Sequence, residues 1–348
     1  MKVQKGDRIV VTGAAGFIGS SVVRELLALG AHVVAAVEPG GTDVNLKDLD
    51  VEAHSVDIRY RADVREVIEG AVAVFHTAAL FSFWSPDSEA FYDVNVKGTR
   101  NVIESAVEAG CQKIVYTSTV ATIGLDGTED GRPADERVHA RIDHLHGHYK
   151  QTKYVAEHEV LRATAEGAPI TLVHPTFPLG PRDIRPTPTG KVILDYLNGR
   201  MPGYVDTAMN VVHVEDLARG HVLALEQGRI GRSYILGGYN VSMKNLLEMA
   251  ASCSGLPTPK LKLPTAIGFG AGVLSHLVEE RLLRREPHVS LEAARMSLTK
   301  MIFDSTRARE ELGYVTRPAL EAVESSVRWF VENDYVNPAR ARRITLTP

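Results

Sequence analysis

Val10-Val11-Thr12-Gly13-Ala14-Ala15-Gly16-Phe17-Ile18-Gly19 joins a short apolar, β-branched run to a segment of helical periodicity. Each glycine meets a different demand. Gly13 permits the tight turn, Gly16 lets the backbone approach a pyrophosphate, and Gly19 lets helix and strand pack closely. A helix that starts here points free N–H groups and the positive end of its dipole at the phosphates. With a strand before it and a helix after it, this glycine spacing reads as a dinucleotide-binding loop.

The alternation continues outward from that loop. Residues 8–12, 32–37, 72–76, 113–118 and 170–174 read as strands. Residues 18–29, 61–69, 90–109 and 149–166 read as helices, the first three stopped by Gly30, Gly70 and Gly110. Such alternation predicts a parallel sheet covered on both faces, wound by right-handed crossovers into a doubly wound α/β fold. Residues 175–188 are proline-rich and read as a loop, and 210–213 with 216–226 read as a strand and helix that return to the main sheet. The predicted division is a dinucleotide domain of 1–174 plus about 210–228, and a smaller, discontinuous C-terminal substrate domain of about 175–209 plus 229–335. Residues 336–348, basic and without apolar periodicity, read as a loosely held tail.

Composition sets outer bounds. The chain has 348 residues, 44% of them hydrophobic, and a formal charge of −4, an ordinary globular balance that gives no reason to expect nucleic acid as a partner. Cys111 and Cys253 show no metal or redox spacing, so neither a disulfide framework nor a zinc site is expected, and a reducing cytoplasm fits. The polar start, residues 1–8, does not read as a secretory signal. The most apolar stretch, 265–278, falls short of the roughly 20 residues that span a bilayer. It reads as a core helix, in preference to a peripheral membrane contact aided by Arg281, Arg284 and Arg285.

Further candidates lie at the strand ends. Glu38 closes the second strand, where a carboxylate accepts both ribose hydroxyls of NAD and repels the extra phosphate of NADP. That favours NAD(H), with NADP(H) not excluded; a solvated turn glutamate is the plainer alternative. Asp57, before Ile58, is an acceptor for an adenine amine or, equally, an Asx turn ahead of the helix at 61–69. Thr77, Ala78 and Ala79 are small enough for a flat cofactor to lie against the backbone, and His76 is expected beneath them. Tyr149 and Lys153 stand four apart and so share one helix face. A phenol titrates near pH 10, and an ammonium beside it favours the phenolate, which makes the pair a candidate proton carrier for a carbonyl or hydroxyl oxygen.

In order along the chain stand Thr12-Gly13-x-x-Gly16-x-x-Gly19, Asp57-Ile58, His76-x-Ala78-Ala79, Asn95-Val96-x-Gly98-Thr99, Tyr116-Thr117-Ser118-Thr119, Tyr149-x-x-x-Lys153 and Val212-His213-Val214-x-Asp216. This set resembles the extended short-chain dehydrogenases/reductases of the NAD-dependent epimerase/dehydratase type, over essentially residues 8–335. Val120-Ala121-Thr122-Ile123-Gly124, Gly180-Pro181-Arg182-Asp183 and Asn198-Gly199-Arg200-Met201-Pro202 are similar to the hopanoid-associated sugar epimerases and dihydroflavonol 4-reductases. The resemblance implies an NAD(P)-binding Rossmann fold and hydride transfer at nicotinamide, with Tyr149 as general acid/base. It implies that Lys153 lowers the tyrosine pKa and bonds the nicotinamide ribose, and that Thr119 orients the substrate oxygen, with Ser118 the alternative one register away. Asn95 matches the family asparagine that supports a water near the lysine, or is an ordinary buried helix amide. The implied cofactor contacts are Gly13, Ala15, Gly16, Phe17, Ile18, Glu38, Asp57, Ile58, Thr77, Ala78, Ala79, Thr117, Tyr149 and Lys153, with Pro175, Thr176 and Phe177 beside the nicotinamide. His174 and Leu179 stand where arginine and tyrosine are frequent in the family.

Two enzyme readings share this chemistry: a reductase that exchanges its cofactor, and a nucleotide-sugar epimerase or dehydratase that retains NAD. Phe81, Phe83 and Trp84 offer an aromatic wall for an apolar small-molecule substrate, or simply pack their loop. A sugar diphosphate needs cations, for which Arg182, Arg185, Arg229, Arg232 and Arg295 are available. The reductase is favoured; a non-catalytic dinucleotide sensor is disfavoured by the intact Thr119, Tyr149 and Lys153. Family-like interface helices at 90–109 and 149–166 make a homodimer the expected assembly.

Overall fold

In this computed structural model residues 1–346 are described, except 83, 86, 126–130, 265–268, 271, 274, 276–290 and 297. The expectations for Phe83, for Arg281, Arg284 and Arg285, and for most of 265–278 therefore lie outside the described residues. Seven parallel strands form the main sheet. They are β1 (Arg8–Thr12), β2 (His32–Val37), β3 (Glu52–Ser55), β4 (Ala73–His76), β5 (Lys113–Thr117), β6 (Ile170–Pro175) and, much later in the chain, Ser233–Leu236. Neighbours run in the order β3, β2, β1, β4, β5, β6, Ser233–Leu236.

Strand period sorts the apolar residues. Ile9 and Val11 join one buried cluster and Val10 the other, as do Val33 and Ala35 against Val34 and Ala36. One face is covered by α1 (Phe17–Ala28), and the other by α2 (Arg61–Ile68). Each fully buried valine or isoleucine contributes about 1.5–3 kcal/mol. Buried on both sides, β1, β4, β5 and β6 are near-continuous apolar runs, which is why the sequence marks them so clearly, whereas the edge strand β3 is polar and largely exposed.

The helix expected over 90–109 is present but interrupted. It starts as α3 (Glu89–Tyr92), widens into a π-turn at Asp93–Gly98, and continues as α4 (Thr99–Glu108). The Thr99 hydroxyl donates to the Asn95 carbonyl at 2.6 Å, entering the helical ladder at the widened turn. Further on, α5 (His148–Ala165) packs beside α4.

The second lobe differs from the expectation. Strand 210–213 does not return to the main sheet. As β9 (Ala208–His213), which follows the short β8 (Gly203–Val205), it lies in a three-stranded sheet between β7 (Phe177–Leu179) and Tyr239–Ser242. The main sheet is completed instead by Ser233–Leu236, parallel to β6. The helix that follows β9, Val214–Glu226, does pack on α1. Leu179, Ile193, Leu246, Val327 and Phe330 make a separate core for this lobe. The last described residues, up to 346, are docked rather than loose. Val336 is buried, Asn337 N–H donates to Asn198 Oδ1 at 2.8 Å, and Thr345 N–H donates to Ser254 O at 3.0 Å. Their few apolar contacts, through Ile344 and Leu346, follow no period a sequence could reveal. Among the described residues, no helix is long and apolar enough to cross a membrane.

Candidate active site

β1 and β4 are neighbours whose connections leave in opposite directions along the sheet, so a crevice opens beyond their C-terminal ends. Gly13 sits in that crevice at φ 69°, and a Cβ there would lie 2.8 Å from the Ala78 backbone. A Cβ on Gly19 would collide with the Gly13 carbonyl and meet Thr77 Oγ1 at 2.8 Å. Gly16 is the N-cap of α1 and brings no capping side chain, which leaves the helix end to donate outward. This cradle fits a dinucleotide pyrophosphate.

The cleft measures about 670 Å³ and runs from Glu38 and Asp57 at one end to Thr119, Tyr149 and Lys153 at the other. Gly13, Ala15, Gly16, Phe17, Ile18, Ile58, Thr77, Ala78, Ala79, Thr117, Pro175 and Thr176 also line it, as does Phe81. Phe177 turns away into the core of the second lobe. Trp84, Arg182 and Asn95 are not on its wall.

Both carboxylates at the Glu38 end are already paired. Arg185 Nη1 donates to Glu38 Oε1 at 2.6 Å, reaching it from a loop 147 residues away. Arg59 donates to Asp57 through Nη2 at 2.7 Å and through its backbone N–H at 3.0 Å, which is an Asx turn. The Arg59 guanidinium holds the Asp57 carboxyl below its ordinary range. Asn45, which nothing in the sequence singled out, is buried; its Nδ2 donates to the carbonyls of Ala15 and Arg182, both at 3.0 Å. It thereby ties the glycine loop to the loop after β7.

At the other end, α5 presents Tyr149 and Lys153 one turn apart, both buried. Lys153 Nζ donates to the Thr117 carbonyl at 2.7 Å and lies 4.4 Å from the Tyr116 ring centroid. Burial lowers the Lys153 pKa to about 7, against the pull of the Glu157 carboxylate. Burial likewise pushes the Tyr149 phenol above its ordinary value, with the Thr119 side chain acting the other way and the Glu292 charge adding to the rise. The phenol therefore stands raised rather than lowered, because its loss of water outweighs its polar neighbours. A protonated phenol is suited to donate. Phe81 covers it, ring centroids 4.8 Å apart.

Thr119 faces the cleft, while the neighbouring Ser118 hydroxyl is committed to Glu157. Asn95 braces rather than faces the site. Its Oδ1 accepts from Leu80 N–H at 2.8 Å, and its Nδ2 donates to Thr152 Oγ1 at 3.0 Å, beside Lys153. His76 lies beneath, between Thr12 Oγ1 at 2.7 Å and Thr99 Oγ1 at 2.9 Å, and burial drives its pKa to about 3. Arg182, at φ 73°, pairs with Glu215 at 2.8 Å.

The sequence profile of the NAD dependent epimerase/dehydratase family matches residues 9–237. A putative dihydroflavonol 4-reductase of Synechocystis is 39% identical over 341 residues, covering 96% of this chain and 97% of its own. Sterol demethylase protein B of Methylococcus capsulatus is 32% identical, with 94% and 99% covered. The crystal structure of gox2253 superposes with a TM-score of 0.84 at 41% identity, covering 95% of this chain and all (100%) of that one. UDP-glucuronic acid 4-epimerase of Bacillus cereus, solved in complex with NAD, shares the fold at 20% identity and a TM-score of 0.73, covering 96% and 99%. With that profile match and those relatives, the chain is an extended short-chain dehydrogenase/reductase and belongs to the NAD dependent epimerase/dehydratase family.

Proposed function

We propose that the chain is a reductase or dehydrogenase that interconverts a secondary alcohol and a ketone carried on an apolar, aromatic-sized body. The observation that carries this reading is Phe81 against Tyr149: the wall beside the proton carrier is an aromatic ring. Three of the five arginines available for a sugar diphosphate are already paired with carboxylates. Arg182 pairs with Glu215, Arg185 with Glu38, and Arg232 with Glu311. The reductase and sterol-enzyme names of the relatives at 39% and 32% identity support the same choice.

A bound nicotinamide dinucleotide would supply or take the hydride. Gly13, Gly16 and the first turn of α1 would receive its pyrophosphate, and Glu38 its ribose hydroxyls, which favours NAD(H). Lys153 would hold the nicotinamide ribose, and Pro175 with Thr176 would border the ring. Thr119 orients the substrate oxygen, because a hydroxyl donates and accepts at once. Tyr149 gives that oxygen its proton in reduction and takes it back in oxidation. In this reading residues 1–174, with the helix Val214–Glu226 and the strand Ser233–Leu236, bind the dinucleotide, the lobe of about 177–213 and 239–335 shapes the substrate pocket, and the protein works as a homodimer in the cytoplasm.

The test is NADH consumption by the purified protein with a dihydroflavonol, a 3-ketosteroid and UDP-glucose. Oxidation of NADH by one of the apolar ketones, reduced 10²-fold or more by Tyr149→Phe, is expected. Tightly retained stoichiometric NAD with interconversion of UDP-sugars and no net redox overturns the reading in favour of an epimerase.

A further inference from the structure

On α5, one turn beyond Lys153, stands a carboxylate that no motif singled out. Glu157 reaches three elements at once through Oε2. It accepts from the Ser118 hydroxyl at the end of β5, from Thr122 Oγ1 at 2.7 Å in the turn after Thr119, and from His174 Nε2 at 3.0 Å on β6. Its side chain is only 12% exposed, and that of His174 2%. An ionised carboxylate is held in such a place only when donors replace its water.

We propose that Glu157 is the positioning residue of the proton-transfer pair: it ties the ends of β5 and β6 to α5 and supplies the counter-charge of Lys153. The inference rests on the reading of Tyr149 and Lys153 as proton carriers. Every moving part of the site leads back to this side chain. Tyr149 and Lys153 lie on its own helix, Thr119 lies between two of its donors in sequence, and Pro175 follows the third. Burial alone would raise its pKa, but His174, Ser118 and Thr122 outweigh burial and hold it at about 2, so it stays charged at every working pH.

The charge faces a group that needs it. Lys153 is surrounded by Tyr149 and Glu157 on α5, the Tyr116 ring on β5 and His76 on β4, and Glu157 alone among these raises its pKa. Removing the anion therefore lowers the Lys153 pKa, and that of the buried Tyr116 phenol on which it also acts.

The test follows the Lys153 ε-carbon by NMR in protein grown on ¹³C-lysine, its resonance assigned by Lys153→Arg, and needs no substrate. Glu157→Gln is expected to move the Lys153 titration down by about one pH unit from its wild-type position. Glu157→Asp keeps the charge but shortens the reach to Ser118 and Thr122. Its Lys153 titration is expected within about half a unit of wild type, while ketone reduction falls about tenfold. An unmoved titration in the glutamine variant overturns the proposal. So does failure of both variants to fold and bind NADH, which would mark Glu157 as purely structural. A moved titration in a protein that reduces no ketone keeps this inference and sinks the reductase reading instead.

Discussion

Asn45 and Arg182 stand 137 residues apart in sequence and meet at 3.0 Å, the Asn45 amide donating to the Arg182 carbonyl while its second N–H bond goes to Ala15. A buried side chain thus joins the glycine loop to the other wall of the cleft. Asn45→Leu keeps the volume and leaves both carbonyls without that donor, which costs about 1–3 kcal/mol. Weaker NADH binding is expected, about tenfold in Kd by fluorescence titration, together with a lower Tm; unchanged binding would mean that the two walls are held by other contacts.

Gly19→Ala adds a methyl group where the Gly13 carbonyl already sits. Because the obstacle is backbone, it cannot rotate away as a side chain would, and the glycine loop must shift. NADH affinity is expected to fall about 100-fold with the fold retained, read by titration and circular dichroism. Wild-type affinity in this variant would remove the loop from the binding site.

Phe81→Ala strips the ring from Tyr149. Two effects follow. An aromatic substrate loses a wall, raising KM by roughly 10-fold, and the phenol gains water, which lowers its pKa toward the ordinary range. The profile of ketone reduction against pH therefore loses its alkaline end earlier than in wild type. A KM and a profile both unchanged would place the substrate elsewhere.

His221 adds a pH dependence to stability. It is fully buried, its Nδ1 near Leu217 O at 2.8 Å and its Nε2 near Thr117 Oγ1 at 3.0 Å, and burial lowers its pKa to about 4. In the unfolded chain the ring takes up a proton near pH 6.5. Below that pH the unfolded state binds more protons, so the term is fully present above about pH 6.5 and is lost at about 1.4 kcal/mol per unit as pH falls toward 4. The difference in urea stability between wild type and His221→Gln isolates it. That difference is expected to shrink steadily between pH 6.5 and 4; a constant difference refutes the assignment.

What was legible in the sequence was local. The turn from Thr12 to Gly19 and the spacing of Tyr149 and Lys153 lie within one loop and one helical turn, and the buried strands advertise themselves as apolar runs. What escaped depends on partners distant in the chain. Residues 210–213 and 233–236 are equally plausible short strands, and only pairing with β6 decides which joins the main sheet. Asn45, Arg185 and Glu157 are ordinary polar residues until folding brings Arg182, Glu38 and His174 against them. Glu157 alone left a trace, since it repeats the four-residue step from Tyr149 to Lys153.

The late arrival of Ser233–Leu236 in the main sheet has a mechanical consequence. The chain leaves the sheet after β6, builds β7 and β9, sends a helix back onto α1, and only then lays down the last strand. Several covalent crossings, rather than one hinge, therefore stitch the two halves together. No single cut releases a complete dinucleotide half: a fragment ending at residue 174 would bare the edge of β6, an open template for pairing with another chain. The dinucleotide half is thus completed only after the chain has passed through the second lobe.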